Sequence, residues 1–362
     1  FSSIVENLQL IDSLGFFSLN LIVITLFFFP AVLFFKNSNK YFVPGILIIL
    51  FFSNYFYGSY KINTADSNIN KVNKSINFKI VTAGLELSEF KYPKDVALRL
   101  IKLSEPEKEK KTIFVWPEGT FMSENFSNIK NNREIKSLFK KNFSENHLII
   151  LGANTIKKYN EKEEYFNSMI LIDNNLNIIS QYDKRKLVPF GEFLPFENFL
   201  SRFGLKKITP GYTSFMKGKG KSILKLNFNE NDLTLLPLIC YEIIFPNLVE
   251  NHIKEFDFVI NISEDAWFGK SIGPHQHFAK AIFRSIETKT FVIRSANQGI
   301  SAFISPNGEV LKSLGPSEVG NIEMELPILI KKNNNHLKKS LIFFVLLITF
   351  VFTFFVLRKF KF

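Results

Sequence analysis

The chain has 362 residues, a formal net charge of +12 at pH 7 and a single cysteine, Cys240. That length sustains one large core or two ordinary ones without cross-links, and a lone cysteine excludes an intrachain disulfide. The basic balance suits nucleic acid or an anionic membrane surface, and long uncharged runs decide for the membrane.

Residues 16–35, "FFSLNLIVITLFFFPAVLFF", carry no charge. At about 1.5 Å of rise per residue they reach across the roughly 30 Å hydrocarbon layer, which predicts a transmembrane helix. A second uncharged run, 41–58, is edged by Tyr41, Tyr55 and Tyr57 in the manner of interface anchors. A third, 340–357, is stopped by "RKFKF". Lys36 and Lys40 in the first short loop place that loop in the cytoplasm, so the segment 59–339 is expected outside. Phe1 stands where an initiator methionine is expected, which reads as a fragment that has lost earlier spans.

Residues 59–75 are polar and aperiodic and read as a linker. Strands are expected at 77–84, 111–118, 147–155, 169–183, 233–242, 256–263 and 290–314, each rich in Ile, Val, Phe or Leu. Those near 147, 233 and 256 are apolar almost throughout, as strands covered on both faces are. "DNN" at 173–175 and "PNG" at 306–308 have the composition of hairpin turns. Residues 275–289, with Phe278, Ala281, Ile282 and Ile286 near helical spacing, predict a helix. Alternating strands and helices make an α/β layered domain over 76–320, followed by a linker at 321–339 and the last span.

Three apolar strands finish with an ionisable group: "FVWPEGTF" with Glu118, "YDKRKLVPFGEFLP" with Lys184 and then Glu192, and "LPLICYEIIFP" with Cys240, Tyr241 and Glu242. A thiol is mostly protonated at neutral pH and needs a base or a nearby cation to attack carbonyl carbon. Glu118 suits the base, and Lys184 suits the thiolate and then the oxyanion. Taken singly, a cysteine in an apolar strand is more often packing, and the Glu and Lys are more often solvated turn residues. His275 and His277 have metal-ligand spacing but lack a third ligand, so no metal is predicted. None of His147, His252, His275, His277 and His336 has a context that marks a base beside Cys240.

In this order "WPEGTF", "YDKRKLVPFGEFLP" and "ICYEIIFP" resemble the Glu-Lys-Cys triad motifs of the nitrilase, or carbon–nitrogen hydrolase, superfamily. "LVPFGEFLP" and "NISEDAWFGKSIGPHQHFAKAIFRSIETKTFVIRSANQGISAFISPNGEV" narrow the resemblance to the bacterial apolipoprotein N-acyltransferase family over about 76–320. The resemblance implies an α/β fold, a nitrilase-like αββα sandwich flanked by transmembrane α-helices. It implies Glu118 as general base, Lys184 as oxyanion stabiliser and Cys240 as nucleophile, with Glu192, Tyr241 and Glu242 in support. Trp267 matches an aromatic residue near the acyl chain or the nucleophile, and "GPHQHF" matches a structural loop. A departure is "FKIVTAGLELSEF", which stands where the superfamily often carries a Gln and Asn pattern.

The implied reaction moves an acyl chain from a membrane phospholipid, through a cysteine thioester, to the N-terminal amine of a diacylglyceryl-modified apolipoprotein. No cofactor and no nucleic acid is implied, and the implied setting is multi-pass in the bacterial inner membrane, with the catalytic domain on the periplasmic side. The phenylalanine-rich, lysine-rich arm 193–221, including Phe196 and Phe199, suits a membrane interface and is expected to gate lipid to the thiol. The alternatives are a membrane-tethered amidase, in which water resolves the acyl-enzyme, and an inactive truncated relic.

Overall fold

The computed structural model describes residues 4–34, 42–69, 74–159, 162–196, 199, 202, 214–220, 222–250, 252, 255–330 and 339–359. Its centre is a pair of β-sheets whose strands come from the apolar runs of the sequence. The first sheet contains β1 (Ser75–Thr82), β2 (Thr112–Val115), β3 (Phe121–Asn125), β4 (His147–Tyr159), β5 (Lys162–Ile172), β6 (Ile178–Asp183) and β13 (Gly320–Pro327). Its order is β13-β1-β2-β4-β5-β6, with β3 added against β4. The second contains β7 (Leu224–Phe228), β8 (Asn231–Ile239), β9 (Phe258–Glu264), β10 (Val292–Asn297), β11 (Ser301–Ile304) and β12 (Val310–Leu314), in the order β12-β11-β10-β9-β8-β7. Strands β1, β2 and β4 run parallel, as do β8, β9 and β10, so the C-terminal ends of each set gather on one edge of their sheet.

The two sheets face each other across one core in which Phe78, Ile113 and Ile150 of the first meet Leu235, Ile260 and Ile293 of the second. Both outer faces are covered by helix. Helices α4 (Pro93–Ser104), α5 (Phe126–Asn131) and α6 (Arg133–Asn142) lie on the first sheet, where Val96, Leu100, Ile129 and Phe139 pack with Phe114 and Ile149. Helix α8 (Gly273–Thr288) lies on the second, burying Ala281, Ile282 and Ile286 against Leu238, Val259 and Val292. Its spacing is the one read from the sequence, because a stripe at i, i+1 and i+5 keeps to one side of a 3.6-residue turn. A short turn, α7 (Asn247–Glu250), precedes β9. The result is an αββα sandwich.

The expectation of three membrane crossings needs correcting. Helix α2 (Phe16–Phe28) is 13 residues long, and the chain then tightens into a 3₁₀ segment, Phe29–Phe34, containing Pro30, which offers no N–H to continue an α-helix. At 1.5 Å per residue α2 spans about 20 Å, less than a hydrocarbon layer of about 30 Å. The second run lies in α3 (Phe42–Ile69), which continues through the polar segment expected to be a linker, and the third lies in α9 (Lys339–Lys359). Among the described residues no helix is long and apolar enough to cross a membrane.

Two further differences concern the boundaries. The expected linker after residue 320 begins with β13, which pairs with β1 along Ser75–Thr82, while residues 331–338 lie outside the described residues. The N-terminal region docks on the sandwich directly. Leu8, Ile11 and Leu19 share the cluster of α8, and Gln9 Nε2 donates to the Asn307 carbonyl at 2.8 Å, holding α1 (Leu10–Leu14) and α2 against it.

Candidate active site

Strands β2 and β8 end on the same edge of the sandwich, and the turn after each strand carries a candidate site residue. After β2 the chain turns through Pro117 to Glu118, whose backbone lies against β4. A Cβ on Gly152 of β4 would come within 2.7 Å of the Glu118 Cα, so glycine is required for this close approach. After β8 comes Cys240, held at φ 49° in the left-handed region at the start of a 3₁₀ turn, Cys240–Ile244. A non-glycine residue held there stores backbone strain that the surrounding structure has to impose. Lys184 comes directly after β6, with its amide bonded to the Asn167 carbonyl of β5 at 2.9 Å.

The imposing element is Glu242. Its Oε2 accepts the Ile239 amide at 2.9 Å. Its Oε1 accepts the amides of Arg185 at 2.7 Å and Lys186 at 3.0 Å, and the Tyr182 hydroxyl at 2.9 Å. One buried carboxylate thus ties the Lys184 segment of the first sheet to the Cys240 turn of the second.

Glu118, Lys184, Glu192, Cys240, Tyr241 and Trp267 line a single cavity of about 550 Å³. Lys184 Nζ donates to Glu192 Oε1 at 2.9 Å and reaches Glu118 Oε1 at 3.3 Å. Asn167 Nδ2 donates to the same two oxygens at 2.7 and 2.8 Å. Glu118 Oε2 accepts the Glu264 amide at 2.9 Å, and Glu192 Oε2 accepts the Val188 amide at 2.8 Å. Burial works against the charge on Lys184, but the Glu118 and Glu192 carboxylates outweigh it and hold the ammonium well above its ordinary value. For Cys240, burial and the Glu118 charge push the thiol up, and Lys184 only partly opposes them. The sulfur at rest is therefore a protonated thiol.

Sequence reasoning missed the group beneath the cysteine. His277, one turn into α8, is buried and donates from Nε2 to the Cys240 carbonyl at 3.1 Å, while its Nδ1 lies 2.9 Å from Asp265 Oδ1. Asp265 also accepts from Ser263 Oγ at 2.6 Å and from Arg294 Nη2 at 2.7 Å. Burial alone raises the Asp265 carboxyl, but Arg294, His277 and Ser263 together bring it down to about 2. The segment "GPHQHF" is thus the start of a helix that reaches the cavity, not a plain loop. Glu264 was missed as well. It caps the turn Asp265–Phe268 through the Ala266 amide at 3.1 Å, lines the cavity, and is held by Asn297 Nδ2 at 3.0 Å. Burial pushes its carboxyl well above the ordinary range. The available signal was an apolar strand ending in Glu-Asp at 264–265, the same pattern as at Glu118.

Phe196 and Phe199 are placed differently from the rest. They are 84% and 60% exposed and are not in the cavity wall. Most of the arm between 197 and 213 lies outside the described residues. Among the described residues no group of three or more His, Cys, Asp or Glu is arranged to hold a metal ion.

Fold and site together define a class, that of α/β-sandwich enzymes with a cysteine, a lysine and carboxylates lining one cavity. Within it, this chain belongs to the carbon–nitrogen hydrolase family, whose model matches residues 113–328. Three curated relatives share the name apolipoprotein N-acyltransferase. The protein of Rhizobium leguminosarum bv. trifolii (strain WSM2304) is 36% identical over 216 residues, covering 59% of this chain and 39% of the relative. That of Rickettsia prowazekii (strain Madrid E) is 32% identical over 274 residues, covering 75% and 52%. That of Allorhizobium ampelinum (strain ATCC BAA-846 / DSM 112012 / S4) is 30% identical over 336 residues, covering 90% and 61%. The chain therefore spans between 39% and 61% of the length of these relatives.

Proposed function

We propose that the chain carries the acyl-transfer site of an apolipoprotein N-acyltransferase. The observation that carries this reading is that Cys240, Glu118 and Lys184 line one cavity together with the aromatic Tyr241 and Trp267. Glu118 takes the thiol proton and the sulfur attacks an ester carbonyl of a phospholipid, while Lys184 stabilises the oxyanion. The carbon–oxygen bond breaks, Glu118 returns the proton to the departing alkoxide, and lysophospholipid leaves an acyl-thioester on Cys240. The α-amine of a diacylglyceryl-cysteine then attacks the thioester, losing a proton to Glu118. As the carbon–sulfur bond breaks the sulfur is reprotonated, and an amide remains. Glu192 and Asn167 position Lys184 and Glu118, and Glu242 fixes the turn that presents the thiol.

Lipid as the donor is supported by the outer surface of the N- and C-terminal helices. Phe28 of α2, Ile49 and Phe56 of α3, and Ile348 and Phe352 of α9 are all largely exposed, which is costly in water and natural against acyl chains. In this reading the enzyme is held at the bacterial inner membrane by these helices, with the sandwich of 76–320 on the periplasmic side. Phe196 and Phe199, a few residues after Glu192, add apolar surface for lipid entry. Charged replacements at these two positions are expected to lower activity on vesicle lipid, and unchanged activity would refute that part.

The deciding test is intact-mass detection of an acyl adduct after incubation with phospholipid, comparing the wild type with Cys240→Ala. An adduct of one acyl chain on the wild type alone supports the reading. Its absence, or an equal adduct on the variant, overturns it. A subsequent supply of lipoprotein amine should discharge the adduct faster than water does. If water discharges it equally fast, the chain is acting as a hydrolase.

A further inference from the structure

The cavity wall contains a cation that the proposed chemistry does not use. Lys280 stands on α8 one turn beyond Gln276, so both face the cavity at i, i+4 spacing. Lys184, the other lysine of the wall, is bound to Glu192 and Glu118. Lys280 has no carboxylate or carbonyl partner among the described residues. Its Nζ lies instead 4.9 Å from the ring centre of Phe16 and 5.1 Å from that of Phe283. Those rings hold the ammonium beside the start of α2, the helix whose later residues expose apolar surface. Burial, and after it the Arg284 charge, pull this lysine below its ordinary value, so a bound anion would relieve both penalties.

We propose that Lys280 receives the phosphodiester of the lipid donor while the donor's ester carbonyl lies at Cys240. The inference rests on the acyl-transfer reading above and adds which part of the donor is recognised, and where. In a phosphoglyceride the ester carbonyl and the phosphate are joined through one glycerol backbone, so a single cavity of about 550 Å³ accommodates both ends. A lysine suits this task as a compact charge whose ammonium meets phosphate without demanding a fixed fork geometry.

The test measures acyl-enzyme formation by the full chain in detergent micelles, with phosphatidylethanolamine and with a neutral diacylglycerol of the same acyl chains. Wild type, Lys280→Ala and Lys280→Arg are compared. The expected result is that Lys280→Ala lowers the preference for the phospholipid over the diacylglycerol roughly tenfold, through the donor concentration needed for half-saturation, and that Lys280→Arg restores most of it. An unchanged preference in Lys280→Ala, including an equal loss on both donors, would overturn the inference while leaving acyl transfer standing. Wild type forming no acyl-enzyme from either donor would remove the acyl-transfer reading itself, and this inference with it. Inorganic phosphate at millimolar concentration is expected to leave the preference intact. If it abolishes the preference in wild type, the lysine is a free-anion site and the lipid assignment fails.

Discussion

His277 donates from Nε2 to the backbone carbonyl of Cys240 at 3.1 Å, across 37 residues of sequence. A backbone carbonyl only accepts, so Nε2 carries a proton, and Asp265 at Nδ1 fixes the ring's orientation. The cysteine's strained turn is thereby held from below as well as by Glu242. His277→Ala is expected to lower the acylation rate about tenfold with little change in half-saturation, because the lost bond is one that positions the sulfur. Single-turnover acylation at several donor concentrations checks this. A change confined to half-saturation would contradict it.

Removing Glu118 should act on the thiol in two opposite ways. Burial and the Glu118 carboxylate both raise the Cys240 thiol, so Glu118→Gln brings it down by deleting one of those causes. Alkylation by iodoacetamide near pH 8, which needs only thiolate, is expected to accelerate several-fold in Glu118→Gln. Acyl transfer, which needs the base, is expected to fall by 10²-fold or more, on the order of a general-base contribution. Rates of both reactions on the same preparation test the pair of signs.

Asp265 sets an acid limit on stability. Its carboxyl is lowered from the ordinary 3.8 to about 2 in the folded protein. A depressed carboxyl contributes stability that is present above the unfolded value and is lost as pH falls through the folded one, so the window lies between about pH 4 and about pH 2. The contribution is about 2 kcal/mol. Asp265→Asn, which leaves the buried Arg294 without its carboxylate, is expected to cost about 3–5 kcal/mol at pH 7 and progressively less toward pH 2. Urea unfolding of both proteins across this range gives the answer.

Glu264 should behave in the reverse sense. Its carboxyl is raised well above the ordinary range, so its contribution to stability is full below the unfolded value near pH 4.5 and is lost as pH rises toward the folded one. Glu264→Gln keeps an oxygen for the Ala266 amide but has no proton to lose. It is expected to be more stable than wild type at pH 8 and no more stable at pH 4. Denaturant midpoints at the two pH values test it.

The candidate triad was legible only from its three motifs taken together and in order, since no member is distinctive by itself. Glu118, Lys184 and Cys240 each stand where a short apolar run stops, and a short run bounded by turn formers favours a strand. The strands at 147, 233 and 256 were legible for the same reason, since burial on both faces leaves an uninterrupted apolar stretch. β13 is harder to see, because its alternation of polar Asn321, Glu323 and Glu325 with Ile322 and Met324 resembles a solvated linker until β1 supplies its partner. The polar end of α3 reads as coil because nothing in 59–69 shows a helical stripe. The break in α2 is available from Pro30 but is outweighed by the length of the uncharged run.

The sequence by itself determined the alternation of buried strands and amphipathic helices, and it placed three chemically useful groups at strand ends. Both come from hydrophobic periodicity and turn chemistry, which act over a few residues. Only the tertiary structure decided which ends meet. Asn167 reaches Glu118 across 49 residues because β4 pairs with both β2 and β5 within the first sheet, and Glu242 reaches the amide of Arg185 across 57 because two sheets close face to face over one core. No local rule encodes that closure. The same packing made His277 a support for the Cys240 turn, lifted Glu264 out of the ordinary carboxylate range and left Lys280 in the cavity wall beside the first apolar helix.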